Sequence, residues 1–94
     1  MKVRIHIIEQ DWSVRETISA GSAEEVVSRI KSRVQQELPF ALRLLIGAMG
    51  PLSFAQEVVR NYNKSRRKNL PPPGSCSQFL EMAQREGFAV IEEP

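Results

Sequence analysis

The sequence contains a single histidine and a single cysteine, and their scarcity removes several classes of functional site. A structural zinc site uses about four cysteine or histidine ligands, so it cannot be assembled from this chain alone. No glycine-rich phosphate loop, nucleophile elbow or Ser/His/Asp set is present. We therefore expect no metal, no cofactor and no enzymatic activity.

A lone cysteine, Cys76, cannot form an internal disulfide. The chain starts with alternating basic and apolar residues rather than with a long apolar signal region. The longest apolar stretch, Leu38 to Met49, is well short of the roughly 20 residues that span a bilayer. It is interrupted by Pro39, Arg43 and Gly47. We expect a cytoplasmic protein with no membrane partner.

The overall composition is that of an ordinary folded protein, with 41% apolar and 26% charged residues. The formal net charge is only +2, and aromatic residues make up 6% of the chain. A chain of 94 residues is long enough to bury one modest core. Residues 1–94 are therefore predicted to form a single small domain.

Alternation of apolar and polar residues predicts strands near the start of the chain. Val3, Ile5 and Ile7 share one face, and after a polar turn at residues 9–11 a second alternating segment runs from residue 12 to 19. Glu16 is the one residue out of pattern in this return arm. A last strand is predicted from Phe88 to Ile91, and we expect it to pair beside the first strand because the N-terminal strands form a local hairpin.

Three capping-box patterns predict helix starts between these strands: Ser22 with Glu25, Ser53 with Gln56, and Ser75 with Gln78. Pro39 suits the first turn of a further helix, short and largely buried, from Phe40 to Met49. Gly87 is expected to end the last helix. The order is ββααααβ or ββαααβ. It predicts an α+β fold, with a three-stranded sheet and three to four helices packed on one face.

Basic residues are concentrated at Lys64, Arg66, Arg67 and Lys68, which we predict to lie in a loop after the third helix. Such a cluster binds phosphate by releasing counterions, and Arg4 and Arg15 would add a second basic surface on the open face of the hairpin. The cluster could bind nucleic acid or an acidic protein, or be a solvated connection. Nucleic acid is disfavoured by the small net charge and by the lack of aromatic residues on the open face. The three prolines that follow suit a rigid spacer or a ligand for an aromatic groove.

Two apolar segments are candidate interfaces with an unknown protein partner or with a second copy of the chain. The last strand is apolar on both faces, with Phe88, Val90 and Ile91, and could pair with another chain at a sheet edge. The second helix, including Phe40 and Leu44, is apolar nearly all round and exceeds what a small core covers. The function that the sequence favours is a non-catalytic binding or accessory module, which binds either an unknown partner or a second copy of itself.

Cys76 supports a third hypothesis, a thiol enzyme or redox sensor. It follows Gly74 and Ser75 at a predicted helix start, where the helix dipole stabilises a thiolate. A cysteine nucleophile needs a base, and His6 is the one histidine that could supply it. The alternative is a small buried side chain in the core.

Overall fold

The computed structural model describes residues 1–9 and 12–94. Gln10 and Asp11, which belong to the predicted turn, lie outside the described residues. The elements, in chain order, are β1 (Lys2–Ile8), β2 (Ser13–Ser19), α1 (Ala23–Glu37), α2 (Phe40–Gly47), α3 (Pro51–Arg66), α4 (Cys76–Glu86) and β3 (Ala89–Glu93). This order, ββααααβ, confirms the predicted α+β fold.

The three strands form one antiparallel sheet in the order β2-β1-β3. The C-terminal strand lies beside the first strand, as predicted, so β2 and β3 are both sheet edges. In the register of β1 with β2, Arg4 is opposite Thr17 and His6 is opposite Arg15. On the other side of β1, Arg4 is opposite Val90.

One face of the sheet is buried against the helices, and the other is open. Val3, Ile5 and Ile7 are at most 2% exposed, in agreement with the predicted alternation. Above them the helices contribute a continuous apolar core that includes Ile30, Phe54 and Phe79. Because successive strand residues point to opposite faces, the open face carries the polar partners of this pattern. These are Lys2, Arg4, His6, Arg15, Thr17 and Ser19.

The predicted helix boundaries are confirmed where local capping decides them. The Ser22 and Ser75 hydroxyls each accept a hydrogen bond from the amide three residues later, at 3.2 and 3.1 Å. Gly87 ends α4 with φ +90°, a conformation that favours glycine. The cap predicted at Ser53 is wrong: the N-cap is Gly50, three residues earlier, and α3 begins at Pro51, because proline suits the first helical position.

The prediction that the second helix is largely buried is also wrong, since α2 has no buried residue. Polar contacts to the backbone of α2 and its flanks hold it against α1. Gln35 Nε2 donates to the Arg43 carbonyl at 3.1 Å, and Lys31 Nζ donates to the Met49 carbonyl at 2.7 Å. A Cβ at Gly47 would come within 2.8 Å of Gln35, so α1 approaches α2 at its glycine. Ile46 is half-buried and packs against the core, whereas the other apolar side chains of α2 are exposed.

No helix in the described part of the chain has both the length and the apolar character needed to cross a membrane.

Candidate functional site

The basic cluster lies at the end of a helix, not in the predicted loop. α3 continues through Arg66, and Arg67 follows in the left-handed conformation with φ 53°. Lys64 and Arg66 occupy the last turn of the helix, where positive charge is stabilised by the partial negative charge of the unpaired carbonyls. The basic residues that predicted a loop are thus equally suited to the C-terminal end of a helix.

Arg66 joins the end of α3 to the end of β1. Its Nη1 donates to Glu9 Oε1 and its Nη2 donates to the Ile8 carbonyl, both at 3.1 Å. The guanidinium carbon lies 4.7 Å from the centroid of the Tyr62 ring, a favourable cation–π distance. The Nη1 of Arg66 also donates to Ser65 Oγ at 2.8 Å, so Arg66 is a structural contact rather than a free cation.

Lys68 also pairs with a carboxylate of the same chain. Its Nζ forms an ion pair with Glu86, whose Oε1 also accepts a hydrogen bond from the Tyr62 hydroxyl at 3.1 Å. The hydrogen bond from Lys68 holds the pKa of Glu86 below its usual range, and the same contact raises the pKa of Lys68. Burial, and then the carboxylate, raise the pKa of Tyr62. Tyr62 is a buried core contact of α3.

The cluster therefore offers less free charge than its sequence indicates. Of its four basic residues, Arg66 and Lys68 are paired with carboxylates. Lys64 and Arg67 are exposed and form no ion pair with the described residues. The carboxylate partners lie far away in the sequence, at Glu9 and Glu86, so no local pattern could reveal them.

The open face of the sheet holds the other predicted basic residues, and here the structure brings polar groups together. Arg4 and His6 on β1 lie next to Thr17 and Arg15 on β2, so that four polar side chains form a two-by-two block. A shallow groove of about 510 Å³ runs over this block and is bordered on its far side by Phe88 and Val90. A smaller groove of about 250 Å³ shares three residues with it, namely His6, Gly87 and Phe88.

Part of the edge of β3, the predicted strand-pairing interface, is already hydrogen-bonded within the chain. The Phe88 carbonyl accepts a hydrogen bond from the His6 amide of β1. Because backbone amides along a strand point alternately to either side, the Ile91 amide points away from β1, toward the free edge. That amide donates to Gln84 Oε1 at 2.7 Å. On the opposite edge, the Ser13 amide donates to Glu37 Oε2 at 3.1 Å. Side chains from the helices thus accept a hydrogen bond from one outward-pointing amide on each edge. Such contacts limit the pairing of a sheet edge with another chain.

Within the predicted apolar interface, the two segments differ in exposure. In the last strand Phe88 is buried, Ile91 is half-buried and Val90 is exposed. In α2, by contrast, Phe40 is 70% exposed and Leu44 is 61% exposed. The structure therefore leaves more apolar surface on α2 than on β3.

The exposed side of α2 and its C-cap is a continuous apolar stripe, which we call the α2 stripe. Its members recur at positions i, i+1, i+4, i+5 and i+8, which places them on one side of a helix. They are Phe40, Ala41, Leu44, Leu45 and Ala48. Beside the stripe, a groove of about 220 Å³ runs between α2 and α3 and is lined mainly by apolar side chains, including Trp12, Leu42 and Met49.

Cys76 and His6 are not brought together. Cys76 is a buried member of the core on the helix side of the sheet, whereas His6 lies on the open face. Burial raises the pKa of the Cys76 thiol, the opposite of what a reactive thiolate needs. Within the described residues, no group of three or more histidine, cysteine, aspartate or glutamate side chains is placed to bind a metal ion.

The fold and these surfaces define a small α+β domain with an unpartnered apolar helix on one side and a basic sheet face on the other. Comparison with known proteins finds no significant match among protein-family models, curated proteins or solved structures.

Proposed function

We propose that this protein is a non-catalytic, cytoplasmic binding module that acts through the α2 stripe, and that its partner is a second copy of the chain. The observation that carries the proposal is that α2 has six apolar residues among eight, yet none of its residues is buried. Contiguous exposed apolar surface of this kind is typical of protein interfaces.

The shape of the stripe suits another helix. Ala41 and Ala48 lie near its centre line, with Phe40 and Leu44 on one side and Leu45 on the other. Small residues along the centre let two helix backbones come close, while large residues at the margins interlock as ridges and grooves. A two-fold axis through the stripe presents the same patch to both chains, which is the usual symmetry of a homodimer.

The chemistry around the stripe also favours a protein surface over a small ligand. Arg43, the one charged residue of α2, turns toward α1 and donates from Nη2 to the Leu38 carbonyl at 3.2 Å. The neighbouring groove, at about 220 Å³, is smaller than the ~300–1,000 Å³ of ordinary ligand pockets. It suits an apolar side chain delivered by a partner.

Sedimentation velocity over a broad range of protein concentration tests the proposal. A contact formed mainly by one short helix lies at the small end of interface sizes, so we expect a weak dimer that dissociates on dilution. Leu44→Glu places a charge in the stripe and should give the mass of one chain at every concentration. Ile8→Thr alters a side chain of similar exposure, 58%, on the open face of the sheet and should leave association unchanged.

A native chain that keeps the mass of a monomer at the highest concentration would contradict the proposal. Equal weakening by Leu44→Glu and Ile8→Thr would also contradict it, because association would then not depend on α2.

The other predicted functions have less support. Nucleic-acid or acidic-partner binding by residues 64–68 would rely on Lys64 and Arg67, because Arg66 and Lys68 already have carboxylate partners. A thiol-based activity at Cys76 would have to overcome its burial and its raised pKa. We therefore do not propose an enzymatic role.

A further inference from the structure

The register of β1 and β2 places two arginines close to each other on the open face. His6 is directly opposite Arg15, and Arg4 is opposite Thr17, so the two arginines are diagonal neighbours. In an antiparallel pair, opposite Cβ atoms are about 5 Å apart and diagonal positions about 7–8 Å apart. Two guanidinium groups, an imidazole and a hydroxyl can therefore converge on one small anion.

The carboxylates near this block leave much of its positive charge uncompensated. Glu92 lies 3.5 Å from Arg4 Nε and 3.7 Å from Lys2 Nζ, and exposed pairs of this kind are weak. Glu16 sits beside Arg15 in the sequence, but its carboxylate is engaged with Arg33 of α1 at 3.1 Å. Arg15 forms no ion pair with any of the described residues.

The groove over the block has the size of a ligand site. At about 510 Å³ it falls within the ~300–1,000 Å³ usual for such sites. Its lining combines polar donors with an apolar border: Arg4, His6, Arg15 and Thr17 on one side, Phe88 and Val90 on the other. Glu16, the carboxylate paired with Arg33, also contributes to the lining. The smaller adjoining groove extends from His6 to Arg66 and is also lined by Glu86, which is paired with Lys68.

We propose that the open sheet face binds a phosphate ester, with its phosphoryl oxygens held by the guanidinium groups of Arg4 and Arg15 and by donors from His6 and Thr17. Arginine is suited to this task because its planar fork of donors matches two phosphate oxygens at once. The phosphate can belong to a mononucleotide or to the backbone of a single-stranded nucleic acid. Phe88 and Tyr62 are buried, so neither offers a free ring for base stacking. Recognition is therefore of the phosphate and not of the base.

The test measures binding of three probes at physiological salt: AMP, a fluorescently labelled oligothymidylate, and a polyglutamate peptide of similar charge. AMP is followed by calorimetry, and the other two by fluorescence anisotropy. Arg15→Gln should weaken phosphate binding at least about tenfold, because a hydrogen bond to a charged group is lost. Arg67→Gln removes an exposed cation outside the groove and is the matched control, expected to leave binding unchanged.

Binding of AMP that depends on Arg15 but not on Arg67 would support a small phosphate ligand. Binding of the oligonucleotide alone, with the same dependence, would support a nucleic-acid strand lying along both grooves. Three results would each overturn the proposal: no binding of either phosphate probe, equal loss in the two variants, or equally tight binding of polyglutamate. The last two would show attraction by charge without a phosphate site. Circular dichroism of both variants checks that they are folded.

Discussion

Replacing Phe40 by alanine is expected to leave the unfolding free energy of the dilute chain almost unchanged, whereas Phe79→Ala should destabilise it severely. The two residues have the same side chain in opposite environments. Phe40 is 70% exposed on α2, and Phe79 is 0% exposed in the core between the sheet and the helices. The comparison tests directly whether α2 lies outside the core in solution.

The magnitudes follow from burial. Phe79→Ala removes a fully buried ring and leaves a cavity, which costs about 3–5 kcal/mol. A domain of 94 residues has a total stability of about 5–14 kcal/mol, so this loss is a large share of it. The buried 30% of Phe40, on a scale of about 1.5–3 kcal/mol for a whole side chain, is worth about 0.5–0.9 kcal/mol. The better helix propensity of alanine offsets about half of that.

Urea denaturation followed by far-ultraviolet circular dichroism measures both changes, since this signal reports the whole fold and not the surroundings of Trp12 near α2. The measurement uses the lowest practical protein concentration, because a dimer held by α2 would add concentration-dependent stability. At high protein concentration Phe40→Ala should lack this added stability, so its apparent unfolding free energy should fall further below that of the native chain. A loss above about 2 kcal/mol for Phe40→Ala in the dilute chain would refute the exposed position of α2.

Three further predictions concern single groups. Lys68 lowers the pKa of Glu86, so their contact stabilises the fold above the unfolded glutamate pKa of about 4.3 and is lost as pH falls through the folded value. Glu86→Gln should flatten that acid decline in unfolding experiments, and an unchanged decline would count against the pair. The native Cys76 thiol should react with Ellman's reagent far more slowly than the unfolded chain, and comparable rates would contradict its burial. Gly87→Ala should cost about 1–2 kcal/mol because of its φ of +90°. Gly21→Ala, without a positive φ, should cost clearly less, and equal costs would exclude backbone strain as the cause.

The parts of the fold that were predicted correctly are those decided by neighbouring residues. The hydroxyls of Ser22 and Ser75 reach an amide three positions away, and the strand pattern requires only alternation. Even the place of β3 beside β1 follows from local connection, since pairing of β1 with β2 leaves one side of β1 free. Gly87 ends α4 for an equally local reason, its left-handed backbone.

The errors arise where distant residues decide. The composition of α2 indicated burial, but Lys31 and Gln35 of α1 bind the backbone of α2 and of the residues that follow it, and most apolar side chains of α2 stay exposed. Hydrophobicity predicts that a surface is buried, but it does not predict whether the same chain or a partner buries it. Glu16, out of pattern in its strand, is explained by Arg33, which lies 17 positions further along the chain.

The candidate sites were predicted only in part, because they depend on both neighbouring and distant residues. Arg4 and Arg15 share a face because strand alternation requires it, so the sequence could place them together. The sequence could not show that Arg66 and Lys68 are occupied by Glu9 and Glu86, since those pairs depend on the packing of α3 against β1 and α4.

The two proposed surfaces lie on opposite sides of the sheet, and this placement has a consequence for how they work. The α2 stripe belongs to the helical side, whereas the phosphate groove lies on the open face, and the buried core separates them. A ligand on one surface therefore makes no direct contact with the other, and without a second arrangement of the core it has no route to change its affinity. Leu44→Glu should abolish association while phosphate binding persists, and Arg15→Gln should do the reverse. If phosphate binding instead shifts the dimer equilibrium, the sheet and helices must move relative to each other, and the two surfaces are parts of one switch rather than independent sites.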